Sequence, residues 1–405
     1  MSEVLTVPEG WETKTLGDLC EILDNQRIPL NDEERQKRVG HIPYYGANKI
    51  VDYIDDYLFD EDLILVAEDG GNFDLYENRP IAFKITGKSW VNNHAHVLRI
   101  KNYVDFDYVF YSLEHKNIIH YIRGGTRSKL NQSDLIDIQF FLPKLKQEQQ
   151  KIAKILSTLD SAIEASQKLI AKEKNIKKGL MHDLLTNGID ENGTIRSLKT
   201  HKYKESELGL IPVEWEMSCL GKISRTFAGG TPNRDEELYY GGDIPWVKSG
   251  EVNQTRINKT EEFITNEGLI NSSAKLIKKN TILIAMYGAT AGQVAILDID
   301  VTSNQAVLAV PLMKEDMNYI LYNINFHMPK LLFQAQGSGQ PNLSKQLVDN
   351  LNILLAPLHE QQKIATILTA QDKKIETEEK NLEKLKELKK GLMDDLLSGK
   401  VRVKV

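Results

Sequence analysis

Cysteine is scarce in this sequence: only Cys20 and Cys219 occur in 405 residues. Two thiols exclude a disulfide framework and a four-cysteine metal site. Long hydrophobic runs are also missing. The uncharged stretch 281–297 is broken by Gly288, Gly292 and Gln293, too short and too polar to span a bilayer. The opening MSEVLTVPEGWETK is acidic and contains no apolar core, so no secretory signal is read and a cytoplasmic location is expected. Also absent are a G-x-x-x-x-G-K-[ST] phosphate loop, an Asn-Pro-Pro-aromatic segment, and a glycine-rich loop in a strand–helix context. ATP-driven translocation and methyl transfer by this chain alone are therefore not expected.

What is present fits a soluble chain of two or three domains, with 41% hydrophobic and 27% charged residues. The net charge of −6 is unevenly spread. Residues 1–142 carry 15 basic and 24 acidic side chains, whereas 143–186 carry 9 and 5. Residues 187–356 carry 16 and 19, and 357–400 carry 9 and 9. The acid is concentrated in the first third, so overall charge argues only weakly against a nucleic-acid partner.

An internal repeat organises the chain. Shifted by 212, residues 148–185 align with 360–397 without a gap, with 22 of 38 positions identical. EQQKIAKIL stands over EQQKIATIL, and KKGLMHDLL over KKGLMDDLL. The flanking segments repeat more faintly. Pro8 and Trp11 answer Pro212 and Trp215, LILVAEDG (63–70) answers TILIAMYG (281–288), and Asn93-His94-Ala95 is matched to Asn304-Gln305-Ala306. GGTRSKLNQSDL (124–135) answers GSGQPNLSKQL (337–347).

Each repeated block reads as one long helix with a 3.5-residue apolar seam. Ile152, Leu156, Leu159, Ile163, Leu180 and Leu184 form the first seam. Ile364, Leu368, Ile375, Leu382, Leu385, Leu392 and Leu396 form the second, which polar Gln371, Glu378 and Lys389 interrupt. Pro143 and Pro357 mark the entrances, and Gly188 and Gly399 the exits. A rod of 38 residues, roughly 57 Å long, with so narrow a stripe needs a partner helix, and its own duplicate is the nearest one.

The expected architecture is α+β. Two globular α/β modules are separated by two long helices that pair as an antiparallel coiled coil with pseudo-twofold symmetry. The expected divisions are 1–142 (first module), 143–188 (first helix), 189–356 (second module) and 357–405 (second helix). That symmetry is the one B-DNA offers to a protein reading two half-sites about 34 Å apart.

Candidate recognition groups lie at polar loops, since base readout needs Arg, Lys, Asn or Gln on a rigid frame. In the first module they are Tyr44, Tyr45, Asn48, Lys49, Asn93, His94, Arg123, Arg127 and Lys129. In the second they are Thr231, Asn233, Arg234, Trp246, Lys248, Tyr287, Asn304, Gln305, Gln340, Asn342 and Lys345. Metal ligation by His94 and His96 lacks a third ligand in any supporting pattern, and the acidic run Asp52, Asp55, Asp56, Asp60, Glu61, Asp62 reads as a solvated turn. No metal and no catalytic residue is assigned. A coiled-coil scaffold presenting two ligand- or peptide-binding domains is the alternative.

The paired E-Q-x-x-I entrances (Glu148, Gln149, Ile152; Glu360, Gln361, Ile364) and the paired K-K-G-L-M-x-D-L-L exits (177–185, 389–397) resemble the specificity subunit of type I restriction-modification systems. The lead-in YKESELGLIPVEW (203–215) is similar to that family's usual opening of a second target-recognition domain. The resemblance covers essentially the whole chain. It implies two target-recognition domains reading the halves of a bipartite site in double-stranded DNA, with the paired helices setting the gap. It also implies docking of two modification (methyltransferase) subunits, joined by restriction/translocase subunits, with no membrane involved. S-adenosylmethionine, ATP and Mg are expected on those partners and no cofactor on this chain.

Overall fold

The computed structural model describes residues 7–124, 128–253, 255–335 and 342–404. The expected segments are assembled as two compact units whose boundaries fall inside the long helices. One unit comprises residues 1–168 with 379–405, and the other residues 169–378.

In the first unit, a four-stranded antiparallel sheet runs in the order Cys20–Ile22, Ala95–Ile100, Leu63–Ala67, Ala82–Ile85. The central strand LILVA is apolar throughout because both of its faces are covered. Ile64 and Val66 enter a core shared with the helix Phe106–Glu114, while Leu63 and Leu65 enter a second core with Phe59 and Val91. A second sheet orders Ile50–Ile54, Val39–Tyr45, Lys88–Val91 and Phe59–Asp60. Its Tyr44 pairs in parallel with Trp90. Strand Trp11–Thr15 pairs with Gln139–Pro143 and closes the domain onto the helices.

The second unit is built to the same plan. Strand Ile282–Ala285 is central to a five-stranded sheet, sending Ile282 and Ile284 to one core and Leu283 and Ala285 to another. Strand Tyr240–Val247 pairs with Glu262–Ile264 and, in parallel, with Thr302–Ser303. Strand Glu216–Cys219 pairs with Asn352–Leu355, as Trp11–Thr15 does with Gln139–Pro143.

The repeated blocks form helices Lys146–Thr186 and Leu358–Leu397. Within each unit, the helical stretches run antiparallel. In the first unit Ile152 and Leu156 share a core with Met393 and Leu396. In the second, Leu184 meets Ile364 and Leu368, while Glu173 accepts from Gln371 Nε2 at 2.8 Å and Lys374 Nζ at 2.7 Å. Leu159, Ile163, Leu180, Leu382, Leu385 and Leu392 are half-buried. The polar interruptions Gln371 and Lys389 are therefore hydrogen-bonding positions of the seam. Among the described residues no helix is long and apolar enough to cross a membrane.

The repeated Glu-Gln explains how each domain is seated on its helices. Gln149 Oε1 accepts from the Asp105 amide and its Nε2 donates to the Pro143 carbonyl, both at 2.8 Å. Gln361 does the same with Asp316 and Ala356, at 2.9 and 2.8 Å. The neighbouring glutamates are buried and accept an indole N–H and an arginine. Trp11 Nε1 and Arg402 Nε lie 3.3 and 2.6 Å from Glu148, and Trp215 Nε1 and Arg196 Nη2 lie 3.1 Å from Glu360. Each arginine follows the C-terminal end of a long helix. The turn that brings Arg196 back begins at Gly188, whose positive φ and contact with Glu360 and Trp215 leave no room for a side chain.

Candidate nucleic-acid interface

Each unit carries one sheet edge at which the strand ends and connecting loops converge, and the backbone frames of the two edges match. In the first, the Asn92 amide donates to Tyr45 O at 3.0 Å, and Asn92 Oδ1 accepts from the His94 amide at 2.8 Å. The amides of Glu68 and Leu130 donate to His94 O and Glu68 O, both at 2.8 Å. In the second, the Asn304 amide donates to Val247 O at 3.1 Å and Asn304 Oδ1 accepts from Ala306 N at 3.2 Å. Met286 N and Leu343 N donate to Ala306 O and Met286 O at 2.8 and 2.9 Å.

This frame corrects the alignment of the two modules by one residue. Asn304 corresponds to Asn92, Gln305 to Asn93 and Ala306 to His94. Asn92 and Asn304 are the shaping residues, each bonding the amide two positions on, which leaves Asn93 and Gln305 exposed at the tip. Asp69 and Tyr287 occupy one matched position, and Lys129 and Asn342 another.

Of the groups expected from sequence, Asn48, Lys49, Asn93, Asn233, Tyr287, Gln305 and Asn342 are exposed, as are the cations Arg123, Lys129, Arg234 and Lys345. Asn48 Nδ2 donates to Gly70 O at 2.8 Å. Half-buried Tyr45 packs on Phe83 at 5.9 Å. Thr231 donates to Gln305 Oε1, and His94 Nδ1 lies 2.9 Å from Asp69 Oδ1. Arg127 and Gln340 fall outside the described residues.

Two expectations are overturned. Tyr44 and Trp246 are buried, with 1% and 2% exposure, and cannot reach a groove. Tyr44 Oη accepts from the Leu30 amide at 2.9 Å, and Trp246 Nε1 donates to Gly230 O at 3.1 Å. These rings are supports, each covered by an arginine: Arg35 5.3 Å from the Tyr44 centroid and Arg234 4.8 Å from that of Trp246.

Five of the candidate cations are paired with carboxylates. Arg123 bonds Asp134 at 2.9 Å, Lys129 lies 3.2 Å from Glu68, and Arg234 lies 2.8 Å from Glu262. Lys248 meets Glu261 and Glu262, and Lys345 meets Asp349. These pairs hold the Asp134 and Glu262 carboxyls below their ordinary range, through the hydrogen bonds from Arg123 and Arg234 respectively. Approach of a phosphate or base competes with these internal partners, so the edges offer patterned donors and acceptors in place of a uniform positive field.

Sequence reasoning missed Asn92 and Arg27. Arg27 Nη1 donates to Glu68 Oε2 at 2.8 Å and to Ala95 O at 2.7 Å, tying the first edge together. Beneath it, Asp24, Glu68 and His96 converge as a metal-like trio. His96 Nδ1 is 2.5 Å from Asp24 and Nε2 is 2.8 Å from Leu130 O. With Arg27 against both carboxylates, an arginine occupies the place a cation would take. The second unit carries apolar Met286 and Leu308 at the positions of Glu68 and His96.

Two domains of one plan, each seated on antiparallel helices and each with a differently dressed loop edge, define an internally duplicated two-domain protein. The sequence matches the type I restriction modification DNA specificity domain twice, over residues 8–173 and 212–387. The chain belongs to that family, the specificity subunits of type I restriction-modification systems, and has two target-recognition domains. It is 29% identical over 432 residues to a putative type I restriction enzyme specificity subunit of Methanocaldococcus jannaschii, covering 100% of this chain and 96% of the relative. A putative specificity subunit of Haemophilus influenzae is 28% identical over 366 residues, with 88% of this chain and 86% of the relative covered. Among solved structures, the type I S subunit from M. genitalium superposes with a TM-score of 0.64 at 17% identity, covering 97% and 98% of the two chains.

Proposed function

We propose that each recognition domain reads one half of a bipartite site in double-stranded DNA through its loop edge. The paired helices set the gap and dock two modification (methyltransferase) subunits, which restriction/translocase subunits join in the cytoplasm. On this reading the chain is non-catalytic. S-adenosylmethionine, ATP and Mg belong to the partners, which flip and methylate the target base. Most phosphate contacts, and with them most of the salt-dependent affinity, are also assigned to those partners.

The observation that carries the reading is the pair of matched frames with unmatched side chains. Asp69, Asn93, His94 and Lys129 stand where the second domain has Tyr287, Gln305, Ala306 and Asn342. One backbone geometry bearing two donor–acceptor patterns is what two different half-sites require. Sequencing modified bases in DNA from cells carrying this chain and its modification subunit tests it. A two-part motif with a fixed gap is expected, and exchanging residues 8–142 for those of a relative should change one half only. Methylation without a bipartite motif, or a swap that changes both halves, would overturn the reading.

A further inference from the structure

Each recognition domain touches its helices through a second shared constellation, separate from the buried glutamate. In the first unit, Asp160 on helix Lys146–Thr186 accepts from Tyr111 Oη at 2.7 Å and from Lys389 Nζ at 2.7 Å. Tyr111 belongs to the domain's own helix Phe106–Glu114, and Lys389 to the other long helix. The Lys389 ammonium lies 5.4 Å from the Tyr111 ring centroid and 2.9 Å from Glu114. In the second unit, Asp372 accepts from Tyr322 Oη at 2.7 Å and from Lys177 Nζ at 2.5 Å. The Lys177 ammonium lies 5.6 Å from the Tyr322 ring centroid.

The two lysines have exchanged helices: each comes from the K-K-G-L-M segment of the long helix that does not carry the aspartate. One carboxylate therefore joins three elements in each unit. The environment supports this geometry. Burial, then the bond to Asp160, raises the Tyr111 hydroxyl pKa, so it stays a donor. Burial alone would lower the Lys389 pKa, but Glu114 and Asp160 raise it, so it stays charged.

Apolar packing between a domain and a helix pair is non-directional and tolerates small rotations. Charge-assisted bonds to one carboxylate have distance and angle requirements and do not. For a domain of this size, with a radius of gyration of about 14 Å, a tilt of about 10° moves the reading edge by roughly 2–3 Å. One base-pair step is about 3.4 Å, so a small angular error is read as a changed gap.

We propose that Asp160 with Tyr111 and Lys389, and Asp372 with Tyr322 and Lys177, are positioning residues that fix each recognition domain's angle on its helix pair and so narrow the accepted gap. This rests on the bipartite reading above. The test uses the full chain with its modification subunit in cells, comparing Tyr111→Phe, Asp160→Asn and Asp372→Asn with wild type by sequencing modified bases. Wild type is expected to show one gap. The variants are expected to methylate sites one base pair longer or shorter at about a tenth or more of the main level, with the bases of both halves unchanged. Tyr111→Phe removes one hydroxyl and keeps the ring, so it serves if an aspartate variant fails to accumulate. In the purified chain it should speed amide exchange in 106–114 and leave 63–67 unaltered. A single retained gap in Tyr111→Phe, or methylation falling equally at every site with protein level, would overturn the proposal. A wild type with no bipartite motif would instead remove the reading beneath it.

Discussion

The buried glutamate of the second unit offers a sharp energetic test. Glu360 has 2% side-chain exposure and accepts from four donors: both Arg196 Nη groups, Trp215 Nε1 at 3.1 Å and the Ile189 amide at 2.9 Å. Arg196→Met leaves that carboxylate buried with two neutral donors. Breaking a buried ion pair costs about 3–5 kcal/mol when nothing compensates. The two donors that stay on the carboxylate keep it from being fully uncompensated, so a loss of about 2 kcal/mol, below that range, is expected. For a unit of roughly 200 residues this lowers the unfolding midpoint by about 6 °C. Glu360→Gln should cost a similar amount, because it strands a guanidinium that is only 10% exposed. The double variant should recover most of the loss, since removing both charges is far less costly than removing one. Thermal unfolding of the four proteins gives the coupling energy directly, and amide exchange at Ile189 reports the site itself. Single variants within about 1 °C of wild type, or a coupling below about 0.5 kcal/mol, would show that the latch does not hold the domain to its helix.

Other outcomes follow from the same geometry. Removing residues 399–405 deletes Arg402 from Glu148 and should destabilise the first unit selectively, so amide exchange should rise in 11–15 and 139–143 and stay unchanged in 216–219. Gln305→Ala should weaken one half-site by about 1–3 kcal/mol of base discrimination and Asn93→Ala the other, measured as methylation on single-base variants of the motif. Burial pushes the Cys20 thiol up to about 12, with Asp24 and Glu21 adding to it. In the folded chain Cys20 should therefore resist alkylation that modifies half-buried Cys219. The same shift makes the Cys20 contribution to stability complete below pH 9 and lost between pH 9 and about 12, a loss that Cys20→Ala should abolish in alkaline melts. Bonds from Lys374 and Gln371 hold Glu173 below its ordinary carboxylate range. That contribution is present above the ordinary value and disappears as pH falls through the lowered one, so acid should loosen the helical pairing of the second unit, and Glu173→Gln should remove this pH dependence.

The repeat and the helices were legible because they are local: a gapless match and a 3.5-residue period need no knowledge of distant partners. The domain edges were legible only as loops. Matching Asn-His-Ala to Asn-Gln-Ala put the asparagines one residue out of register, because letters do not reveal which amide an Oδ1 accepts from. Tyr44 and Trp246 look like readers in the sequence because aromatic residues beside polar turns are often exposed, whereas both sit under arginines in the core.

The latch arginines were invisible for a different reason. Arg196 lies 164 residues from Glu360 and Arg402 lies 254 from Glu148, in tails of unequal length and unrelated sequence. Yet both tails perform one act, returning a guanidinium to the glutamate that opens the opposite long helix. The glutamates lie in the repeated blocks, whereas the two tails share no sequence that marks their arginines. The same logic applies to the lysines at 177 and 389. Their identity was plain from the duplicated motif, but their purpose, serving the domain on the other helix, appears only once the helices are seen to run antiparallel within each unit. The duplication therefore copied the glutamates without their arginines, but copied both the aspartates and the lysines, which antiparallel pairing brings together across the two helices.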